Sequence, residues 1–238
     1  KNLKKHFDGV YAVDDLSLKI PQGQVTSIIG PNGSGKTTLI NTLSGLLEID
    51  GGLVVIQESE RLSKIKPHEV PSFGITRTFQ NIRLFEQMTV LDNILVVVTN
   101  RHVFRAIFET HQNFHLKKAE GVLTRVGLWE KRDQLAVNLS YGQRKLLEIA
   151  RALAMDAKVY LLDEPFAGLF PEMVKIISSI IKELRQQGKT VILIEHDMGL
   201  IRELSDYVFV MDSGKLLAEG KPDEVLKKKE VIEAYLGD

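Results

Sequence analysis

The chain has 238 residues, 44% of them hydrophobic, which suits one large domain or a domain with a lobe inserted in it. Lysine plus arginine number 31, as do aspartate plus glutamate, and a net charge of zero argues against a protein that grips nucleic acid by bulk charge. The absence of cysteine excludes disulfides, zinc–thiolate sites and thiol nucleophiles, and no window nears the roughly 18 apolar residues that span a bilayer.

Residues 16–20 (LSLKI) alternate and predict a strand, closed by the turn Pro21-Gln22-Gly23. Residues 24–29 (QVTSII) form a β-rich run that ends in glycines, and a helix is expected over 35–47. Gly51-Gly52 breaks into a strand over 53–57, and residues 75–79 (ITRTF) predict another. The middle of the chain changes character. Thr89 is placed to cap a helix, and residues 116–126 have helical spacing despite Gly121.

The stretch NLSYGQRKLLEIARAL, residues 138–153, predicts a helix with Ser140 as N-cap and Gly142 keeping its first turn bare. Leu146, Leu147, Ile149, Ala150 and Leu153 make its apolar stripe. From Lys158 onward strands (159–162, 191–194, 208–211) alternate with helices (171–187, 197–204), and Pro222-Asp223-Glu224 opens a terminal helix. Strand–helix alternation at both ends of a helical middle implies an α/β fold, a mostly parallel core with an inserted helical lobe.

Gly30-Pro31-Asn32-Gly33-Ser34-Gly35-Lys36-Thr37 fits the phosphate-binding pattern G-x-x-x-x-G-K-[ST] between a strand and a helix, with Thr38 just inside the helix. Backbone N–H groups there can close around phosphates, Lys36 can reach the β- and γ-phosphates, and the Thr37 hydroxyl can ligate Mg2+. Residues 159–164 (VYLLDE) are an apolar strand ending in two acids. Asp163 is placed to hold the metal, directly or through water, and Glu164 to polarise an attacking water. Gln80 and His196 also follow strands and could reach the γ-phosphate, Gln80 through metal or water.

Taken in order, GPNGSGKT, Gln80, LSYGQ, LLDEP and His196 resemble the ATP-binding subunits of ABC transporters over nearly the whole chain. The resemblance implies a P-loop NTPase (RecA-like) core with a mostly parallel sheet, an N-terminal antiparallel β portion and an inserted helical subdomain. It divides the chain into a nucleotide-binding core (1–80 and 156–238) and a signature subdomain (81–155). It makes residues 30–37 the Walker A loop, Asp163 the Walker B aspartate, Glu164 the catalytic glutamate, Gln80 the Q-loop residue and His196 the switch histidine. Phe7 becomes the aromatic that stacks on adenine, with Tyr11 as the alternative. ATP and Mg2+ are the implied ligands. Ser140, Gly142 and Gln143 would cap ATP held by a second ATPase copy, so two anion sites would serve one phosphate chain from opposite subunits. The other implied partners are transmembrane permease subunits at the cytoplasmic face of the inner membrane, with no span of its own and no nucleic acid.

Residues 77–85 (RTFQNIRLF), the Tyr in LSYGQ, residues 194–198 (IEHDM) and the ending AYLG resemble more narrowly the branched-chain amino-acid importer ATPases. Lipopolysaccharide-export and urea-import ATPases are close relatives, and a soluble ABC ATPase of cofactor assembly would share every nucleotide motif. Two departures stand out: Tyr141 replaces the first glycine of the usual signature, and Phe170 stands where the segment after Walker B usually carries Asp or Asn. Ile82, Leu84, Phe85 and Met88 beside Gln80 suggest a docking surface for a membrane partner. His102, His111 and His115 are expected to be surface histidines, and Lys227-Lys228-Lys229 a solvated helix face.

Overall fold

The computed structural model describes residues 1–56, 60–98 and 112–236. In chain order the strands are β1 (Leu3–Phe7), β2 (Val10–Leu16), β3 (Val25–Ile29), β4 (Val54–Ile56), β5 (Glu60–Leu62), β6 (Ile75–Arg77), β7 (Val159–Asp163), β8 (Thr190–Ile194), β9 (Tyr207–Asp212) and β10 (Lys215–Gly220). The α-helices are α1 (Lys36–Leu43), α2 (Val90–Val98), α3 (Gln112–Arg125), α4 (Tyr141–Ala154), α5 (Pro171–Gln186), α6 (Met198–Leu204), α7 (Pro222–Val225) and α8 (Lys229–Leu236). They form two compact units: Lys1–Arg77 with Lys158–Glu164 and Ile181–Asp238, and Thr78–Ala157 with Pro165–Ile180.

The first unit holds a six-stranded sheet in the order β10-β9-β3-β8-β7-β6. Its pairs are parallel except for β10, which folds back antiparallel on β9. All five residues of β3 are buried, Thr26 and Ser27 included, as expected of a central strand covered on both faces. Ile28, Leu39, Ile40, Leu161, Ile192, Ile194 and Met211 form a core cluster, and Ile29, Ile201, Val208, Val210, Val225 and Val231 form another.

Several expectations from the sequence change. The strand over 16–20 is not formed: β1 begins at Leu3 opposite Leu16, and the preceding Asn2, at φ 51°, gives its amide to the Ser17 hydroxyl (2.8 Å) instead of continuing the ladder. Leu18 and Ile20 still pack on the core, which is what their alternation reports. The β-structure lies earlier, in a β1–β2 hairpin turned by Asp8-Gly9 with both φ angles positive (44° and 88°), the twist that two-residue hairpin loops favour. Helix α1 ends at Leu43 rather than 47: Gly45 N donates to Thr42 O (3.1 Å) and Leu46 N to Asn41 O (2.9 Å), a Schellman stop with Gly45 at φ 71°.

The terminal helix is broken into α7 and α8. Val225 and Val231 both enter the same cluster, yet six residues of continuous helix would turn them about 120° apart. The break aligns them and places Lys227 and Lys228 in the turn instead of on a helix face.

In the second unit α2, α3 and α4 are in mutual contact and bury Ile94, Leu123 and Leu147. Thr89 caps α2 as expected, its Oγ1 accepting from Asp92 N at 3.0 Å. His115 is buried edge-on to Phe114 rather than at the surface, while His102 and His111 lie outside the described residues.

Candidate functional site

The parallel strands of the sheet deliver their carboxyl ends to one edge, where open α/β sheets bind ligands. Ile28 of β3 pairs with Ile194 of β8, and Ile194 with Asp163 of β7. The phosphate loop therefore starts two residues past a row that also carries Asp163. Glu164 and His196 leave the same row one and two residues on.

The loop backbone is shaped by what surrounds it. A Cβ on Gly30 would lie 2.0 Å from Met211 O, and one on Gly35 would lie 2.1 Å from Ala12 O. Neither position accepts a side chain. Gly35 stands at the N-cap of α1 in the left-handed region and gives it no side-chain cap, so the first-turn amides are left to the loop cavity. The buried Lys36 ammonium donates to Gly30 O and Pro31 O (2.7 Å each) and reaches Ser34 Oγ at 3.3 Å. A buried cation needs such acceptors, and phosphate oxygens are stronger ones than carbonyls. Pro31 and Ser34 are buried, Thr38 is half-buried, and Asn32, Gly33 and Thr37 are exposed.

Asp163 is 1% exposed and forms an ion pair with Arg77, Nη2 to Oδ2 at 2.9 Å. Arg77 Nη1 also reaches Asn41 Oδ1 and Ser44 Oγ, each at 2.7 Å, tying α1 to the carboxylate. The sequence reading gives Arg77 no role; its signal is a charged residue inside the β-rich run ITRTF. The guanidinium competes for the carboxylate that the resemblance assigns to metal.

Glu164 has φ 46°, a strained value for a residue with a side chain, and its amide donates to Ile194 O at 3.0 Å. Its Oε1 lies 2.8 Å from His196 Nε2, so these two expected catalytic side chains touch. The backbone amide of His196 is held in turn by the buried Glu195 carboxylate at 3.1 Å. His196 is thus joined to Glu164, a link the sequence reading does not contain.

Phe7 is 45% exposed at the hairpin end, with Lys5 Nζ 5.3 Å from its ring centroid, which rules out a core phenylalanine. Tyr11 is also exposed, and its ring lies 5.7 Å from that of His6, its cross-strand partner. Asp50 anchors this strand: its carboxylate takes the His6 amide (2.9 Å), His6 Nδ1 (2.8 Å) and Lys5 Nζ (2.9 Å). The His6 amide, then Lys5, hold the Asp50 carboxyl below its usual range. Burial pushes the Tyr235 phenol of α8 up to about 12, against a weaker pull from the Gly30 amide, although its oxygen makes no hydrogen bond of ordinary geometry.

The second unit carries the remaining expected residues. Gln80 is exposed, three residues past β6. Ser140 and Gln143 form a reciprocal capping box on α4: Gln143 N donates to Ser140 Oγ at 3.3 Å, and Ser140 N to Gln143 Oε1 at 3.1 Å. Gly142 is not bare but buried. A Cβ there would lie 2.2 Å from Met173 Sδ, so the glycine lets the Met173 side chain of α5 lie against the first turn. Tyr141 is exposed, as is Phe170 at 73%, immediately before α5. Phe85 and Met88 are exposed, whereas Ile82 and Leu84 are half-buried.

The sheet order and the glycine loop between β3 and α1 define a P-loop nucleotide-binding protein. Residues 13–167 match the family described as ABC transporter, and residues 215–238 match one described as branched-chain amino acid ATP-binding cassette transporter. The chain belongs to the ABC transporter family. It is 38% identical over 245 residues to the high-affinity branched-chain amino acid transport ATP-binding protein LivG of Salmonella typhimurium, covering 99% of this chain and 96% of that protein. A nucleotide-free ATP-binding cassette from an ABC transporter superposes with TM-score 0.87 at 35% identity, covering 100% of this chain and 98% of that one. A dimeric post-hydrolysis ATP-binding cassette bound to ADP and phosphate superposes with TM-score 0.81 at 27% identity, covering 93% and 97%.

Proposed function

We propose that this chain binds and hydrolyses ATP to drive the import of branched-chain amino acids through separate permease subunits, at the cytoplasmic face of the cell membrane. The near full-length similarity to LivG supports the solute, and the second matched family supports it over the carboxyl-terminal residues. Among the described residues no helix is long and apolar enough to cross a membrane, which suits a peripheral subunit. The core is assigned to residues 1–80 and 156–238, and the signature subdomain to 81–155.

The observation that carries the hydrolytic reading is the Glu164–His196 pair, 2.8 Å apart on the edge of the sheet that also begins the phosphate loop. Lys36 exchanges loop carbonyls for the β- and γ-phosphates of ATP, and the uncapped first turn of α1 supplies backbone donors. Glu164 polarises the attacking water while His196, with its proton on Nε2, orients the carboxylate. Phe7 offers an exposed ring for adenine. Thr37 and Asp163 are hard oxygen donors that fit Mg2+, with Gln80 contributing through metal or water. Bound there, Mg2+ supplies charge neutralisation to the phosphates. Ser140, Gly142 and Gln143 act on the ATP of a second copy; that a cassette similar to this chain is dimeric supports the presence of a second copy.

Glu164→Gln tests the reading. The amide cannot polarise water as the carboxylate does, so kcat should fall roughly 100-fold or more with ATP affinity kept. Unchanged turnover removes Glu164 from the role of base.

A further inference from the structure

Helix α4 carries charged side chains at 145, 148 and 151, each about 60° round the helix from the next; the first two are buried and the third is half-buried. Lys145 is fully buried and Glu148 is 4% exposed, and their charges lie 3.6 Å apart. A buried ion pair is weak evidence for a stabilising role, since apolar residues of similar size usually serve a core as well. Apolar residues cannot do what this pair does for the backbone. Strand β6 ends at Arg77, and two residues later Lys145 Nζ donates to Phe79 O at 2.9 Å while Phe79 N donates to Glu148 Oε1 at 3.1 Å.

The same helix holds the chain again four residues on. The Arg83 amide is directed at the Glu148 carboxylate, and Arg151 Nη1 donates to Arg83 O. The Arg83 guanidinium lies 4.2 Å from the Phe79 ring centroid, which closes the loop on itself, and Arg151 lies 5.1 Å from that of Phe85. Gln80, Asn81 and Ile82 are therefore suspended between two backbone anchors, both on α4.

We infer that Lys145, Glu148 and Arg151 are positioning residues for Gln80: they pin the loop that carries it to the helix that Ser140 caps. Fixed at both ends, Gln80 keeps one placement relative to the signature turn, and a displacement of either is passed to the other. The functional consequence rests on reading Gln80 as the residue that reports on metal and γ-phosphate; the clamp itself does not.

The test compares Lys145→Met/Glu148→Leu, an apolar replacement of the buried pair, with the unaltered full chain. Amide hydrogen exchange over residues 79–83 should speed up by about tenfold or more, because both Phe79 anchors are lost. With ATP, kcat should fall about tenfold while KM stays within about twofold, a split that simple loss of folded protein does not produce. In a Gln80→Ala background the same pair should change kcat less than about twofold, since the positioned group is already gone. Glu148→Gln, which keeps an acceptor for the Phe79 amide, should show the same pattern at smaller amplitude if the double variant fails to fold. Unchanged exchange over 79–83 in both variants overturns the clamp. Faster exchange with a kcat loss fully additive to that of Gln80→Ala overturns the positioning role. If Gln80→Ala alone turns over normally, the reading of Gln80 falls, and the exchange rates still decide the clamp.

Discussion

Helices α1 and α4 both open where an anion can be held, and they open differently. Helix α1 enters from Gly35 with no side chain over its first amides, and the buried Lys36 lies beside it. Helix α4 closes its own end with the Ser140–Gln143 box, and its second residue is sealed beneath Met173. The first end leaves backbone donors to a ligand. The second satisfies two of its donors, Ser140 N and Gln143 N, and leaves the amides of Tyr141 and Gly142 outside the box; such a cap is worth about 1 kcal/mol to the helix. What Ser140 still has for a ligand is its hydroxyl proton, since a serine oxygen can accept from Gln143 N and donate at once. One end is open along its first turn beside a buried lysine; the other is partly closed by its own side chains and carries no cation at residues 141–143.

The comparison breaks most visibly at Lys36. Lys36→Ala should weaken ATP binding about 100-fold by titration, because charge-assisted bonds to phosphate contribute about 1.5–3 kcal/mol. A loss below threefold would show that the lysine stays on Gly30 O and Pro31 O when nucleotide binds. Gly142→Ala sharpens the contrast from the other side. The added methyl meets Met173 Sδ at 2.2 Å and must push that side chain aside, so thermal unfolding should show a cost of about 1 kcal/mol, while ATP binding to the isolated subunit's own phosphate loop stays unchanged. Met173→Ala in the same chain should recover part of it.

The smallest effect concerns pH, and the two units should respond with opposite sign. The folded-state pKa of Asp50 in the first unit is depressed by the His6 amide and Lys5, so its stabilisation is present above the ordinary 3.8 and lost as pH falls through the lowered value. Burial raises Glu148 in the second unit, against the pull of Lys145. Its contribution is complete below the ordinary 4.5 and lost as pH rises through the raised value. Asp50→Asn should flatten the acid limb of a stability–pH curve, and Glu148→Gln should flatten the decline above pH 4.5. Equal slopes in both variants and the unaltered protein would contradict the assigned environments.

Elements whose pattern and partners coincide were legible in the chain: β3, the glycine loop, α1 and the strands that end at Asp163 and Ile194. Their apolar runs are buried on both faces, so local sequence and tertiary environment agree. The hairpins were harder. Asp8-Gly9 is a strong turn signal, but the alternation of LSLKI nearby reports buried side chains without a partner strand. Strand β10 reads as KLLAEG, a helix-prone run made extended by the Ser213-Gly214 turn and by pairing with β9. Among site residues, Gly30, Lys36, Asp163 and Glu164 announce themselves by spacing. Arg77, Lys145 and Glu148 do not, because their work is to hold other groups across separations of 33 to 86 residues. Such pairings leave no local period to read.

The measurement that bears most directly on the division between the two helix ends is a mixing experiment with Lys36→Ala and Ser140→Arg. In the mixed dimer one site inherits both lesions, while the other joins an intact phosphate loop to an intact signature turn. Arginine is used because its bulk blocks the approach of phosphate, whereas alanine would remove one hydrogen bond. ATP-dependent dimerisation is read first and hydrolysis second. If the signature turn serves the other copy's ATP, two proteins that are each inactive should recover dimerisation on mixing. If each turn serves its own chain, every subunit still carries one lesion, and demonstrated mixed dimers with no recovery in either assay would contradict the account.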